Sequence, residues 1–155
     1  MNRIPGTEIN VFPITLGTMT YGSPVAFDEA VKLTQYAVSC GINLIDTANM
    51  YEGYNRYAGS AGGVAEEIVG RALRGLPHSG IAVATKVGMK VGAAPEDEGT
   101  SPAAIRSSST TACAGSAWTA STSTICTART KASRRRISSA RSATRSAPAK
   151  SGITA

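Results

Sequence analysis

Two short apolar runs in this chain each end in a charged residue. Residues 42–45 (INLI) lead directly into Asp46, and residues 81–85 (IAVAT) lead into Lys86. An ion is costly to bury, so each charge is expected at the end of its strand, where the side chain reaches solvent. Parallel strands keep their carboxyl ends along one edge, so both ions are expected on the same rim. The pattern therefore favours an α/β fold with a parallel sheet.

Helical patterns separate the predicted strands. After Asp28, apolar residues recur at helical spacing and predict one buried face; they are Ala30, Leu33, Ala37 and Val38. A second helix is predicted from about Val64 to Arg74, with acids in its first turn and arginines in its last, as the helix dipole favours. A first strand is predicted at Ile14 to Leu16. We expect these elements to form βαβ units with parallel strands and right-handed crossovers.

A glycine-rich loop from Tyr51 to Gly63 precedes the second helix. Helix N-termini bind phosphate when glycines let the backbone approach it. Gly59, Gly62 and Gly63 fit neither the dinucleotide-binding nor the P-loop spacing. We predict a flexible rim segment instead of a phosphate site.

Three motifs follow one another in this part of the chain. They are LGTMTYG at Leu16 to Gly22, DTANMY at Asp46 to Tyr51 and ATKVG at Ala84 to Gly88. Together they resemble the aldo/keto reductase family over roughly residues 6–105. The resemblance implies a (β/α)8 TIM barrel and NADPH-dependent reduction of a small-molecule aldehyde or ketone.

The resemblance also implies which residues bind the cofactor. It places Gly17, Thr18 and Met19 against NADPH, together with Asp46. The residues alone, without the resemblance, favour a plain loop after a strand for the glycine and its two neighbours.

The catalytic residues that the resemblance implies are Asp46, Tyr51 and Lys86. Hydride delivery to a carbonyl leaves an alkoxide that needs a proton, and an ordinary tyrosine is a reluctant donor at neutral pH. A neighbouring Lys86 ammonium would make Tyr51 a better donor, and Asp46 would hold that ammonium in place. Without the resemblance, two simpler roles stay open: Asp46 could merely cap a turn or a following helix, and Lys86 could be an ordinary solvated side chain at a strand end.

The family also has a carbonyl-orienting histidine after its fourth strand, which this chain lacks. The one histidine, His78, lies between the second helix and the third strand. That loop opens on the face opposite Asp46, so we expect His78 to be a solvated loop residue.

The length of the chain limits how much of such a barrel it can form. A (β/α)8 barrel takes about 250 residues, whereas this chain has 155. Residues 1–105 are therefore expected to form an incomplete barrel of three βα units.

The sequence also bears on where the protein is found. We predict no secretory signal and no membrane span. Three cysteines without CxxC spacing indicate neither a metal site nor disulfides and favour a cytoplasmic setting; Cys40 is expected to be at least partly buried.

Residues 106–155 differ sharply in composition from the rest. They hold nine Lys/Arg and no acid, whereas residues 1–105 hold seven Lys/Arg and all ten Asp/Glu. Ser, Thr and Ala make up 32 of these 50 residues. Such a segment predicts a disordered basic tail. Arg134 to Arg136 could make the protein a nucleic-acid binder, the alternative to an enzyme.

A reading-frame slip near Ser108 is the second explanation of this tail. With one base restored, the genetic code permits LDDSLRRLGVDRIDLYYLH across residues 109–127, which resembles the family's third helix, fourth strand and histidine. Thr127 then stands where that histidine would be. Since threonine has no imidazole nitrogen, we expect the chain as written to be catalytically inactive.

Overall fold

Strands and helices alternate along the part of the chain that the structure describes. This computed structural model describes residues 2–4, 9–77, 80–94, 97–102 and 104–105, and the backbone of residues 123–128. The elements are β1 (Asn2–Arg3), β2 (Asn10–Val11), β3 (Leu16–Gly17), α1 (Phe27–Ser39), β4 (Leu44–Asp46), α2 (Val64–Leu73), β5 (Ala82–Val87) and β6 (Ser123–Ala128).

The main sheet is parallel and four-stranded, in the order β3-β4-β5-β6. Leu16 pairs with Ile45, and Ile45 in turn pairs with Val83, so the strands follow one another in chain order. Helix α1 connects β3 to β4, and α2 connects β4 to β5. The predicted α/β fold with a parallel sheet is confirmed. β1 and β2 form a separate antiparallel pair ahead of the sheet.

The hydrophobic core lies around the two helices and the strands that they join. Its fully buried members include Ala30 of α1, Ile45 of β4, and Ile68 and Leu73 of α2, each 0% exposed. Burying an isoleucine or leucine side chain contributes about 1.5–3 kcal/mol relative to leaving it exposed. The bounds of α2 agree with the predicted helix, whose arginine Arg74 is the C-cap.

The buried face of α1 differs from the predicted one. Ala30 and Ala37 are buried as predicted, but Leu33 is 44% exposed and Thr34 is fully buried instead. The Thr34 hydroxyl lies 2.8 Å from the Ala30 carbonyl oxygen and 2.8 Å from the Tyr21 hydroxyl. A hydroxyl with two partners costs little to bury. The threonine therefore takes the position that apolar spacing had assigned to leucine.

The glycines before α2 serve a close approach of two backbone segments. Gly62 has a φ of +69°, and a Cβ there would lie 2.2 Å from the Asn49 carbonyl oxygen. The Gly63 amide donates to that same carbonyl at 2.8 Å, and the Ala65 amide donates to the Tyr51 carbonyl at 2.9 Å. These amides are engaged inside the protein, so this end of the loop is anchored to α2. The prediction of a flexible segment is wrong there.

Two expectations near the strands need correction. Lys86 lies inside β5, which extends to Val87, and not just after the strand. Cys40 is exposed, because it is the C-cap of α1 and lies past the buried face. His78 lies outside the described residues.

Strand β6 lies within the predicted disordered tail. Its six residues pair with β5 in register, from Ala82 opposite Ser123 to Val87 opposite Ala128. Main-chain pairing of this kind needs no particular side chains. The disorder predicted for the rest of residues 106–155 lies outside the described residues. Within the described part of the chain, no helix is long and apolar enough to cross a membrane.

Candidate active site

The structure brings Asp46, Tyr51 and Lys86 together. Lys86 Nζ lies 2.6 Å from Asp46 Oδ2 and 3.2 Å from the Tyr51 hydroxyl. It also donates to the Thr47 carbonyl oxygen at 3.0 Å. An ammonium has three hydrogens, and these three acceptors use all of them. The position of the Lys86 head group is therefore fixed from three directions.

The pairing of β4 with β5 explains this arrangement. Asp46 is the register partner of Ala84. Side chains alternate along a strand, so Lys86, two residues beyond Ala84, lies on the same face of the sheet as Asp46. The two ions that end the apolar runs thus meet on one face, as the sequence predicts.

The electrostatics of the pair keep Lys86 charged. Partial burial disfavours the ammonium, but the hydrogen bond and charge of Asp46, with a smaller contribution from Tyr51, outweigh it and raise the pKa of Lys86 above its ordinary 10.5. The two ionic side chains remain 35% and 38% exposed, so the pair faces solvent on one side. A permanent positive charge is thereby placed beside the tyrosine hydroxyl.

Tyr51 is held through its backbone as well as its hydroxyl. Its amide donates to the Ala48 carbonyl at 3.0 Å, and its carbonyl accepts from Ala65 of α2. Lys86 Nζ lies 4.8 Å from the ring centroid, within the range of a cation–π contact. Because the hydroxyl oxygen accepts from Lys86, its own hydrogen remains available to a second acceptor. The arrangement can therefore give a proton to an oxygen placed beside it.

The predicted cofactor-binding residues divide into two groups. Thr18 is fully buried, and its hydroxyl and amide donate to the Asp46 carbonyl at 3.0 and 3.1 Å. It fixes the end of β4. No described residue comes within 4 Å of where a Cβ of Gly17 would be, and Met19 is 57% exposed. These two leave an open surface beside Asp46, and their binding of a cofactor stays a prediction.

The neighbour of Lys86 on the next strand is Thr127. The two residues are register partners in the β5-β6 pair. The carboxyl end of this fourth strand is where the resemblance places the family's histidine. The position beside the lysine is therefore occupied by a residue without an imidazole.

A buried acid under this site was missed from the sequence. Glu66 is 7% exposed, and its Oε1 accepts a 2.5 Å hydrogen bond from the hydroxyl of Thr85, which precedes Lys86. Its other oxygen has no partner among the described residues. Burial raises the pKa of Glu66 above 4.5, and the Thr85 hydrogen bond offsets part of that rise. Glu66 and Glu67 share the first turn of α2, and no local pattern distinguishes the buried acid from the exposed one.

We expect Glu66→Gln to raise the free energy of unfolding near neutral pH. A raised carboxyl pKa gives stability that is present below pH 4.5 and is lost as the pH rises through the folded-state pKa. Gln mimics the protonated acid, so the variant should match the wild type at about pH 4 and exceed it at about pH 7. Urea unfolding at both pH values measures the difference. Glu67→Gln, on the exposed neighbour, is the control: it removes only a favourable charge near the helix N-terminus and should leave the stability unchanged at about pH 4 and slightly lower at about pH 7. An equal rise in both variants would contradict the assignment.

No group of three or more His, Cys, Asp or Glu residues in the described part of the chain is placed to hold a metal ion.

Comparison with known proteins agrees with this geometry. The profile of the Aldo/keto reductase family matches residues 13–115. The chain is 32% identical over 111 residues to the versiconal hemiacetal acetate reductase of Aspergillus parasiticus, covering 66% of this chain and 29% of that protein. It is 37% identical over 97 residues to the NADH-specific methylglyoxal reductase of Escherichia coli, covering 57% of this chain and 27% of that protein.

A solved structure is also similar to this chain. An aldo-keto reductase from Pseudomonas aeruginosa superposes with a TM-score of 0.58 and 28% identity, over 81% of this chain and 44% of that one. The chain thus spans less than a third of these curated relatives and less than half of the solved structure. Its described sheet and helices resemble the corresponding fragment of the reductase barrel. Because the family profile covers more than half of its residues, the chain belongs to the aldo/keto reductase family.

Proposed function

We propose that this site reduces an aldehyde or ketone to an alcohol with NADPH, and that Asp46, Tyr51 and Lys86 perform the catalysis. The observation that carries the proposal is the Lys86 ammonium, which donates to both the Asp46 carboxylate and the Tyr51 hydroxyl. Family membership supports an oxidoreductase that acts on carbonyl groups and uses a nicotinamide cofactor.

The residues present fit such a cofactor and its reaction. The open surface at Gly17 and Met19 borders Asp46, so Gly17, Thr18, Met19 and Asp46 would flank the nicotinamide, which supplies the hydride when bound. Tyr51 gives its hydroxyl proton to the carbonyl oxygen as negative charge develops there. Lys86 then stabilises the phenolate left on Tyr51, and Asp46 keeps Lys86 charged and in place.

Three finer points belong to the same proposal. We propose NADPH as the cofactor because the family that the three motifs resemble uses it, although one relative is named as NADH-specific. The substrate is a small-molecule carbonyl compound. The setting is cytoplasmic, to which the exposed free thiol of Cys40 is suited.

We also propose that the 155-residue chain does not turn over by itself. Thr127 stands beside Lys86 where the family has a carbonyl-orienting histidine. Positioning of the reactants supplies about 7–11 kcal/mol in well-oriented reactions, and threonine cannot replace an imidazole in that role.

Two proteins test the proposal together. The first is the purified chain; the second is a chimera in which residues 13–105 replace the matching segment of the Pseudomonas aeruginosa reductase. We expect carbonyl-dependent oxidation of NADPH, with methylglyoxal or an aromatic aldehyde, in the chimera and not in the chain. A chimera that folds and binds NADPH without turnover would count against the assigned site. Turnover by the chain alone would refute its inactivity.

A further inference from the structure

One side chain, Arg56, ties together the two loops that flank the site. It lies in the loop between β4 and α2, which also carries Tyr51. Its Nη1 donates to the Met50 carbonyl at 3.0 Å, and its Nη2 donates to the Lys90 carbonyl. Met50 directly precedes Tyr51, and Lys90 follows Lys86 by four residues. Arg56 therefore joins the segment that carries Tyr51 to the segment that follows Lys86.

Buried polar contacts hold Arg56 in this position. Arg56 Nη1 lies 3.6 Å from Glu52 Oε2, and the Glu52 side chain is 9% exposed. The other Glu52 oxygen accepts a hydrogen bond from the Ser60 hydroxyl. The Ser60 carbonyl in turn accepts from the Gly92 amide at 2.6 Å. This network, Arg56-Glu52-Ser60, thus makes a second connection between the same two loops.

The guanidinium is suited to this bridge by its shape. Its donors form a rigid planar fork, so one side chain can reach two carbonyls in different loops and a carboxylate at once. A lysine has a single head atom and cannot span both carbonyls in the same way. Apolar burial does little to hold the segment next to Arg56, since Tyr54 and Tyr57 on either side of it are 73% and 70% exposed.

We propose that Arg56 is a positioning residue that holds the Tyr51 hydroxyl against Lys86. It acts through the Met50 and Lys90 carbonyls and does not itself touch the reacting groups. The inference rests on the proposed function, because it takes the contact of Tyr51 with Lys86 as the one that matters. Loss of Arg56 removes the side-chain tie between the Tyr51 segment and the β5 side. The Asn49 amide stays bonded to the Lys86 carbonyl at 3.2 Å, so the segment loosens beyond Asn49 and the 3.2 Å contact of the Tyr51 hydroxyl with Lys86 lengthens.

The test is nuclear magnetic resonance of the full chain with tyrosine isotope-labelled at Cζ. Tyr51→Phe assigns the Tyr51 signal, and Lys86→Met gives the signal of Tyr51 without its lysine. We expect Arg56→Met to move the signal part of the way to the Lys86→Met value, and Arg56→Lys to move it less. Arg71→Met removes an exposed arginine from α2 and should leave the signal unchanged.

Amide hydrogen exchange provides the second readout. In Arg56→Met, the amides of Ala65 and Gly92 should exchange about tenfold faster, while the melting temperature changes little. An unmoved Tyr51 signal together with unchanged exchange would overturn the proposal. If Arg56→Met does not fold, Glu52→Gln replaces it and should shift the signal in the same direction by less; no shift there also overturns the proposal.

The outcome for Arg56 is separable from that for the proposed function. If Lys86→Met leaves the Tyr51 signal where it is, the contact of tyrosine with lysine fails as the basis of the function. Arg56 is then judged by amide exchange alone: lost protection supports the bridge between loops, and retained protection refutes it.

Discussion

Replacing Tyr51 by Phe in the chimera should lower kcat/KM for the carbonyl substrate by about 10²–10⁴-fold, the usual contribution of a general acid. The change removes the hydroxyl that accepts from Lys86 and leaves the ring in place, 4.8 Å from the lysine nitrogen. Binding of NADPH should be unchanged, because the proton donor acts only once the carbonyl accepts charge. Steady-state rates and cofactor fluorescence measure the two effects separately.

Tyr54→Phe is the matched control for this substitution. Tyr54 lies three residues further along the same loop and is 73% exposed, so the same chemical change should leave kcat/KM nearly unaltered. A loss in Tyr51→Phe no larger than that in Tyr54→Phe would exclude Tyr51 as the proton donor.

Ile68→Ala should lower the free energy of unfolding of the chain by about 2–5 kcal/mol. Ile68 is 0% exposed and belongs to the core cluster formed by α2 with Ile45 and Ala30. The substitution removes buried methyl and methylene groups and leaves a cavity that rigid neighbours fill only in part. Domains of this size are marginally stable, so the loss is a large part of the total. Urea unfolding followed by far-ultraviolet circular dichroism measures it.

Ile14→Ala is the corresponding exposed change. Ile14 is 59% exposed, so its truncation should alter the free energy of unfolding by about 0.5 kcal/mol or less. Equal losses in the two variants would show that α2 does not pack as described.

The features that the sequence predicted well depend on residues close together in the chain. An apolar run followed by an ion placed Asp46 at the end of its strand and Lys86 one residue before the end of its own, and their contact follows from parallel pairing. The predicted helix from Val64 to Arg74 matches α2, Val64–Leu73, because its apolar spacing and its charged ends agree. Local pattern and tertiary packing favour the same structure at these places.

The features that were missed depend on partners far away in the sequence. Thr34 replaces Leu33 in the buried face because the Tyr21 hydroxyl is there to receive it. Glu66 is buried because Thr85, nineteen residues away, offers a hydroxyl. Arg56 binds the Lys90 carbonyl, thirty-four residues away. No period or motif in the sequence encodes such pairs.

The composition of residues 106–155 was a poor guide to one segment. Serine, threonine and alanine bury little apolar surface, so the disorder prediction is physically reasonable. A strand edge nevertheless offers main-chain donors and acceptors to any extended segment beside it, and Ser123–Ala128 pairs with all of β5.

The amides of Gly63, the N-cap of α2, and of Ala65 in its first turn are bonded to the carbonyls of Asn49 and Tyr51, and this has a consequence for how molecules reach the tyrosine. The loop cannot swing outward without fraying the helix, so loop and first turn open together as one cooperative unit. Entry by loop opening therefore costs the stability of the helix end. Among the described residues, the surface beside Gly17 and Met19 stays open next to Asp46, so approach over that surface leaves the loop and the helix end intact.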